Sequence, residues 1–326
     1  MRVTMLTRRA ALAGLALAAG WAGAAGTGWA ADKVRVGKAA DNAWTFSTLE
    51  VGKEAGIFAK NGLDVDIVAV AGDAKLQQAL AAGSLDFGLG SGPSMAFSAK
   101  GAPSIAVAAF AGPPKNLSVV VAADSPIKTV KDLKGKTLSV TTRGSLTEWL
   151  AKRLSIAEGW GPDGVKTVAL GAFTSSLAAL RTHEIDGMMT AVESGYSLEE
   201  KHDGRVLVDM GQFAPKFITH VVFARKQLVH DNPALVRKFL KGFFDVLAFM
   251  KANREKTIDI TSKVLHLSKA VTAKTYDYEI SMFNPDGRFD PAAVKVIKDS
   301  FIQMGILPKK PPDSAIYTTE FVPVKP

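Results

Sequence analysis

The sequence predicts an α/β protein of two similar lobes, each a mainly parallel sheet flanked by helices. Three observations carry that expectation. Strand-like and helix-like patterns alternate along most of the chain, which argues for parallel sheets with helices on their faces. One βαβ-type pattern occurs twice, one hundred positions apart. A late apolar strand, His220 to Ala224, then precedes a long helical tail.

The duplication can be read residue by residue. Val68-Ala69-Val70-Ala71-Gly72-Asp73 leads into the helical stretch Leu76 to Ala82, a Gly83-Ser84 turn and the strand Leu85 to Leu89. Val168-Ala169-Leu170-Gly171-Ala172-Phe173 leads likewise into Leu177 to Leu180, a turn at Thr182-His183-Glu184 and the strand Ile185 to Met189. Val68 and Val168, Ala79 and Ala179, Leu80 and Leu180, and Asp86 and Asp186 coincide, as two units built on one plan would require. Such units are expected to face each other across a cleft.

The first thirty residues read as an export signal and are set aside from the fold. Thr7-Arg8-Arg9 precedes the apolar run Ala10 to Ala19, and small residues near Ala30-Ala31 offer a cleavage site. The paired arginines resemble a twin-arginine signal, but Ala10-Ala11 depart from that pattern, so the general secretory route stays open. The expected destination is the periplasm.

The remaining elements follow in order. Val34 to Gly37 is a strand, the polar loop Asp41-Asn42-Ala43-Trp44 follows, and a helix is expected from about Thr45 to Phe58. Asn61-Gly62 turns into the alternating strand Leu63 to Val68. After the strand Ile105 to Phe110 and the Gly112-Pro113-Pro114 break, Leu117 to Val121 reads as a strand leaving the first lobe. Thr129 to Lys136 gives a short helix, Thr137 to Val140 opens the second sheet, and Leu146 to Ile156 is a helix. His220 to Ala224 is the return crossing, and Ala234 to Lys251 is the longest helix, part of a tail expected to pack on the first lobe. The expected division is 1–30 signal, 32–118 first lobe, 119–219 second lobe and 220–326 first lobe again.

Composition excludes several functional classes. The 326 residues include no cysteine, which rules out disulfides, thiolate metal sites and cysteine nucleophiles. The net charge of +9 includes Arg2, Arg8 and Arg9 of the signal, leaving +6 on the remainder. No stretch interleaves basic and stacking aromatic residues, so no nucleic-acid partner is expected. The five histidines lack zinc spacing, Gly135-Lys136-Thr137 lacks the first glycine of a phosphate loop, and Gly88 to Gly92 lacks full dinucleotide spacing. No cofactor, metal or catalytic constellation is predicted.

Several stretches resemble a known family. Glu54-Ala55-Gly56-Ile57-Phe58-Ala59-Lys60-Asn61-Gly62-Leu63-Asp64-Val65, the unit Gln78 to Gly88, and Ser125-Pro126-Ile127-Lys128-Thr129-Val130-Lys131-Asp132-Leu133-Lys134-Gly135-Lys136 are similar to the nitrate/sulfonate/taurine branch of ABC-transporter substrate-binding proteins, which includes binding proteins for thiamine-pyrimidine precursors. Glu184 to Gly187 and Asp231 to Val236 extend the resemblance. It implies a type II periplasmic binding fold with two interlobe crossovers. It also implies a monomeric receptor that closes on a small molecule and delivers it to a membrane permease with its ATPase. A sensor serving a signalling receptor is the alternative within this fold. The branch also includes a thiamine-pyrimidine synthase with a cysteine-rich iron motif, which this chain lacks.

A ligand in such a cleft meets the carboxyl ends of strands and the helix starts that follow, where free amides favour anions. The candidate ligand-binding residues are therefore Asn42, Trp44, Thr45, Asp73, Ser91 and Gly92 in the first lobe, with Thr142, Arg143, Gly144, Ser145, Phe173 and Glu193 in the second. Arg143 with Thr142 and Ser145 is the expected anion-binding group, although Ser145 with Glu148 also fits a helix-capping box. Trp44 is either a stacking platform or core, Phe173 an apolar wall or core, and His220 a packed histidine beside the hinge. The expected ligand is an organic anion, a sulfonate or carboxylate with an aromatic or aliphatic body. A neutral heteroaromatic such as a pyrimidine is the alternative.

Overall fold

The computed structural model describes residues 31–325, so the predicted export signal lies outside the described residues. The first lobe is built from β1 (Asp32–Lys38), α1 (Thr48–Glu54), α2 (Ile57–Lys60), β2 (Leu63–Ala69), α3 (Asp73–Ala81), β3 (Phe87–Ser91), α4 (Met95–Ala99) and β4 (Ser104–Ala111). The second contains β5 (Leu117–Ala122), β6 (Thr137–Val140), α5 (Leu146–Ala157), β7 (Lys166–Ala169), α6 (Phe173–Arg181), β8 (Gly187–Ala191), α7 (Val192–Glu200) and β9 (Gly204–Asp209). The chain then returns as β10 (His220–Arg225) and ends in α8 (Lys226–Asp231), α9 (Pro233–Ala252), α10 (Arg254–Leu265), α11 (Lys269–Glu279) and α12 (Pro291–Gln303).

The two five-stranded sheets have the orders β2-β1-β3-β10-β4 and β7-β6-β8-β5-β9. In each sheet four strands are parallel and one opposes its two neighbours: β10 in the first, β5 in the second. Those opposing strands are where the chain arrives from the other lobe. The two-lobed α/β architecture with two crossovers is thus present as the sequence predicted.

The hundred-residue repeat is kept in space. Helices α3 and α6 and strands β3 and β8 occupy corresponding positions one hundred residues apart. The shared aspartate does the same work in both copies. The Asp86 amide donates to the Arg35 carbonyl and its carboxylate accepts the Arg35 amide at 2.9 Å, tying the turn before β3 to β1. The Asp186 amide donates to the Thr137 carbonyl and its carboxylate accepts the Thr137 amide at 2.8 Å, tying the turn before β8 to β6. Asp86 also pairs with the guanidinium groups of Arg35 and Arg225, each at 2.9 Å, which hold its carboxyl below the ordinary range against the opposing effect of burial.

One expectation is corrected. The helix predicted from Thr45 to Phe58 is broken into a short 3-10 turn at Trp44–Phe46, α1 and α2, because Gly56 takes a left-handed conformation at φ 69° that ends the first helix. The helical tail packs on the first lobe and reaches the second as well. Helices α9 and α10 cover α1, whereas α11 lies against α7 and α12 against α5 of the second lobe. Trp149 of α5 stacks on Phe217 at 4.3 Å and donates its indole N–H to Gln303 of α12 at 2.9 Å.

The amphipathic face of α9 closes the first lobe. Phe239 stacks on Phe87 of β3 at 4.1 Å and on Phe58 of α2 at 6.3 Å, and lies 6.2 Å from Phe243. All four rings are buried. Replacing Phe239→Ala is expected to cost about 3–5 kcal/mol of unfolding free energy by urea denaturation, from lost transfer energy and the cavity left among rigid neighbours.

Candidate functional site

Carboxyl-terminal strand ends of the two sheets face each other, and the loops that follow them enclose a cleft of about 230 Å³. The first lobe contributes Ala39 to Ala43 after β1, Val70 to Asp73 after β2, and Ser91 at the end of β3. The second contributes Thr141 after β6, Gly171 to Phe173 after β7, and Thr190-Ala191 at the end of β8. Asn116 and His220, at the two crossovers, complete the wall. The repeated loops meet here: Gly171 lies against the Ala71 methyl, and Gly72, at φ 99°, packs so closely on the Thr142 side chain that a Cβ there would collide with it. The Asn42 amide crosses the cleft and donates to Ser194 Oγ at 2.9 Å.

Of the twelve candidates, the structure brings Asn42, Asp73, Ser91 and Phe173 to the cleft wall. Asp73 serves Ser91: its two oxygens accept the Ser91 amide at 2.9 Å and the Ser91 hydroxyl at 2.8 Å. Burial pushes the Asp73 carboxyl up, and the hydrogen bonds from Ser91 oppose that rise. Phe173 is the first residue of α6 and supplies the expected apolar wall.

The remaining candidates lie elsewhere. Arg143 is exposed and does not line the cleft; the loop before α5 turns it outward to solvent. Ser145 is the cap of α5, its hydroxyl accepting the Glu148 amide at 3.4 Å, while the Glu148 carboxylate accepts the Gly144 amide at 2.7 Å. Gly144 itself sits against Phe97 and Ile306, Thr142 against Gly72, and Gly92 beneath the Ile218 carbonyl of the second crossover. Trp44 is wholly buried and is no stacking platform: its ring stacks on Phe283 at 5.6 Å, meets Tyr276 edge-on, and donates its indole N–H to Thr261 at 3.2 Å. Thr45 is buried beside it, 3.1 Å from His220 Nε2. Glu193 is buried in the first turn of α7 and accepts the Trp44 backbone N–H across the lobes.

Cleft residues not singled out beforehand include Phe46, Asn116, Thr141, Thr147, Ser176 and Thr190, and His220, expected as a packed histidine, also reaches the wall. The repeat carried a signal for one of them: continued by a few residues, it pairs Gly90-Ser91 with Thr190-Ala191. Asn116 Nδ2 lies 3.0 Å from His220 Nε2 and 3.3 Å from Thr45 Oγ1, joining both crossovers to the start of the first lobe. Burial lowers the His220 imidazole to about 3, so it is neutral and accepts at Nε2.

The wall is mainly apolar, with no Lys or Arg among the described lining residues. Helix starts supply its backbone donors. Four helices, α3, α5, α6 and α7, begin at or beside the cleft. Asp73 occupies the first turn of α3, Glu148 that of α5 and Glu193 that of α7, whereas α6 has no acid in its first turn and no side-chain acceptor at its cap, Ala172. The first-turn amides of α6 and the buried hydroxyl of Ser176 are therefore its distinguishing donors. Among the described residues no group of three or more His, Cys, Asp or Glu is arranged to hold a metal ion.

Two opposed α/β lobes with a solute-sized cleft at the strand ends and two crossovers define the type II periplasmic binding protein fold. The chain belongs to the NMT1/THI5 like family, whose model matches residues 45–257. It is 30% identical over 239 residues, 73% of each chain, to a Brucella abortus (strain 2308) protein that carries a binding-protein name. It is 27% identical over 243 residues, 72% of this chain and 73% of the other, to an Escherichia coli (strain K12) protein named for binding aliphatic sulfonates. The alkanesulfonate-binding protein SsuA from Xanthomonas axonopodis pv. citri, solved bound to MOPS, shares the fold with a TM-score of 0.74 at 20% identity, over 85% of this chain and 95% of that one.

His220 provides a test of the hinge. Its folded-state value lies below the ordinary 6.5, so its contribution to stability is complete above that value and is lost as pH falls from 6.5 toward about 3. Proton NMR of the imidazole should show no titration between pH 8 and 5, while His220→Gln should flatten the loss of melting temperature over the acid part of that range.

Proposed function

We propose that this protein is a periplasmic solute receptor of an ABC importer that closes its lobes on a small organic anion, a sulfonate or carboxylate, and delivers it to a permease and its ATPase. The observation that carries the reading is the open start of α6 beside Ser176 in a mainly apolar cleft. Amides at a helix start hold an oxyanion without a counter-charged side chain. Phe46, Phe173, Val70 and Leu117 then take an apolar body. A volume of about 230 Å³ suits a solute of modest size better than a drug-sized one. The relative named for aliphatic sulfonates supports the same class.

The export signal read in residues 1–30 supports a periplasmic location, and no described helix is long and apolar enough to cross a membrane. The family and the binding-protein names of relatives support a binding role rather than catalysis. A second reading, a neutral heteroaromatic such as a pyrimidine, is favoured by the absence of Lys and Arg from the described cleft wall.

A thermal-shift panel of sulfonates, carboxylates, nitrate and pyrimidines separates the two. A ligand present at a hundred times its dissociation constant stabilises by about 2.7 kcal/mol, and the expected hit is an organic sulfonate or carboxylate; a pyrimidine hit with silent anions would overturn the anion reading. With the hit in hand, calorimetry on Ser176→Ala should show a loss of about 1.5–3 kcal/mol, the range of a hydrogen bond to a charged group. Arg143→Ala should leave affinity unchanged, because that side chain lies outside the cleft wall.

A further inference from the structure

Two acids meet in the buried seam between the lobes. Glu193 stands in the first turn of α7, in the second lobe, and Glu279 ends α11, which the first lobe carries through α10 and α1. Both side chains are buried, at 1% and 0% exposure. Glu193 Oε1 accepts the backbone N–H of Trp44 from the first lobe. Among the described residues, Glu193 Oε2 and both Glu279 oxygens have no donor. Two buried carboxyls in contact without a donor cannot both be ionised, so the seam holds a proton that one carboxyl donates to the other. Burial raises Glu193 to about 7, and burial together with the neighbouring Glu193 raises Glu279 well above the ordinary range.

The groups packed around the pair do not neutralise it. From α7 come Tyr196 and Glu199, from the end of β9 Asp209, and from α11 Tyr278. Both tyrosines are pushed to about 12, first by burial and then by these acids, and so stay neutral. Lys274, the cation on this face of α11, lies 3.5 Å over the Tyr196 ring and 3.6 Å from Glu199. From α10, the Thr261 hydroxyl is taken by the Trp44 indole.

We propose that Glu193 and Glu279 form a proton-dependent latch on the cleft. With one shared proton the pair holds α7 against Trp44 and α11 and keeps the lobes together. When both carboxyls ionise, their repulsion across the seam separates α7 from that surface and opens the cleft. The latch depends on the two-lobed fold and not on the identity of the solute. In an open form both acids are solvated and return toward the ordinary 4.5. The closed form is therefore fully favoured below about that pH and loses its advantage as pH rises, through about 7 for Glu193 and higher still for Glu279. Over that window the closed-to-open ratio falls up to tenfold per pH unit for each proton released.

The test needs no ligand. Because the chain lacks cysteine, Gln78→Cys and Ala178→Cys place spin labels at corresponding exposed positions of α3 and α6, on opposite lobes. Electron–electron distances are recorded at pH 5.5 and 8.5 on protein refolded from denaturant to strip any co-purified solute. The short separation should dominate at pH 5.5, and the closed-to-open ratio should fall at least tenfold by pH 8.5. Glu279→Gln supplies a permanent amide donor to Glu193, so the short separation should persist at both pH values; Glu193→Gln should do the same from the other side. An unchanged distribution in the parent, or an equal pH response in the folded glutamine variants, would overturn the latch while leaving the thermal-shift result on the receptor untouched.

Discussion

The hydrogen bond between Asn116 and His220 joins the two places where the chain changes lobe. Asn116 immediately precedes β5 and His220 opens β10, and each of those strands runs against the other four of its sheet. A strand with neighbours on both sides fixes its lobe in orientation, so the cleft geometry depends on how these two crossings are held together. The neutral imidazole, the Asn116 amide and the Thr45 hydroxyl do this in a buried setting, where an exchanged partner would leave an unsatisfied polar group. The residues that join the crossings also line the cleft.

Around that hinge the cleft is built by symmetry. In both lobes the loop after an edge strand feeds a helix start, and the two loops touch through Ala71 and Gly171. The lobes differ in charge at equivalent positions. Where α3 starts with Asp73, which uses its carboxylate to hold Ser91, α6 starts with Phe173 and leaves its amides free. The same backbone plan thus gives one helix start that is internally satisfied and one that can receive a solute. An acid at the first turn cancels the potential of a helix start, and an aromatic does not.

Much of the fold was legible in local pattern. The strands Thr137–Val140 and His220–Arg225 and the helices α5 and α9 fall close to where periodicity placed them, because alternation and the 3.6-residue repeat are properties of neighbouring residues. The break at Gly56 was not legible, since a helical pattern tolerates one glycine until its backbone is seen to turn left-handed. In the candidate site the loops were placed well and the side chains less so. Asn42, Asp73, Ser91 and Phe173 reach the wall, while Trp44 is taken into the core by Thr261, Tyr276 and Phe283, more than two hundred residues away in sequence.

By itself the sequence determined the two-lobed plan, the paired loops and the absence of thiol chemistry, because repeats, periodicity and composition are carried by residue identity and spacing. Only the tertiary structure decided which residues of those loops face the cleft. It turned Arg143 to solvent and brought Glu193 against Glu279. Such choices arise from packing between segments far apart in the chain, where burial, unmatched charge and available donors settle the orientation of a side chain that its neighbours in sequence leave free.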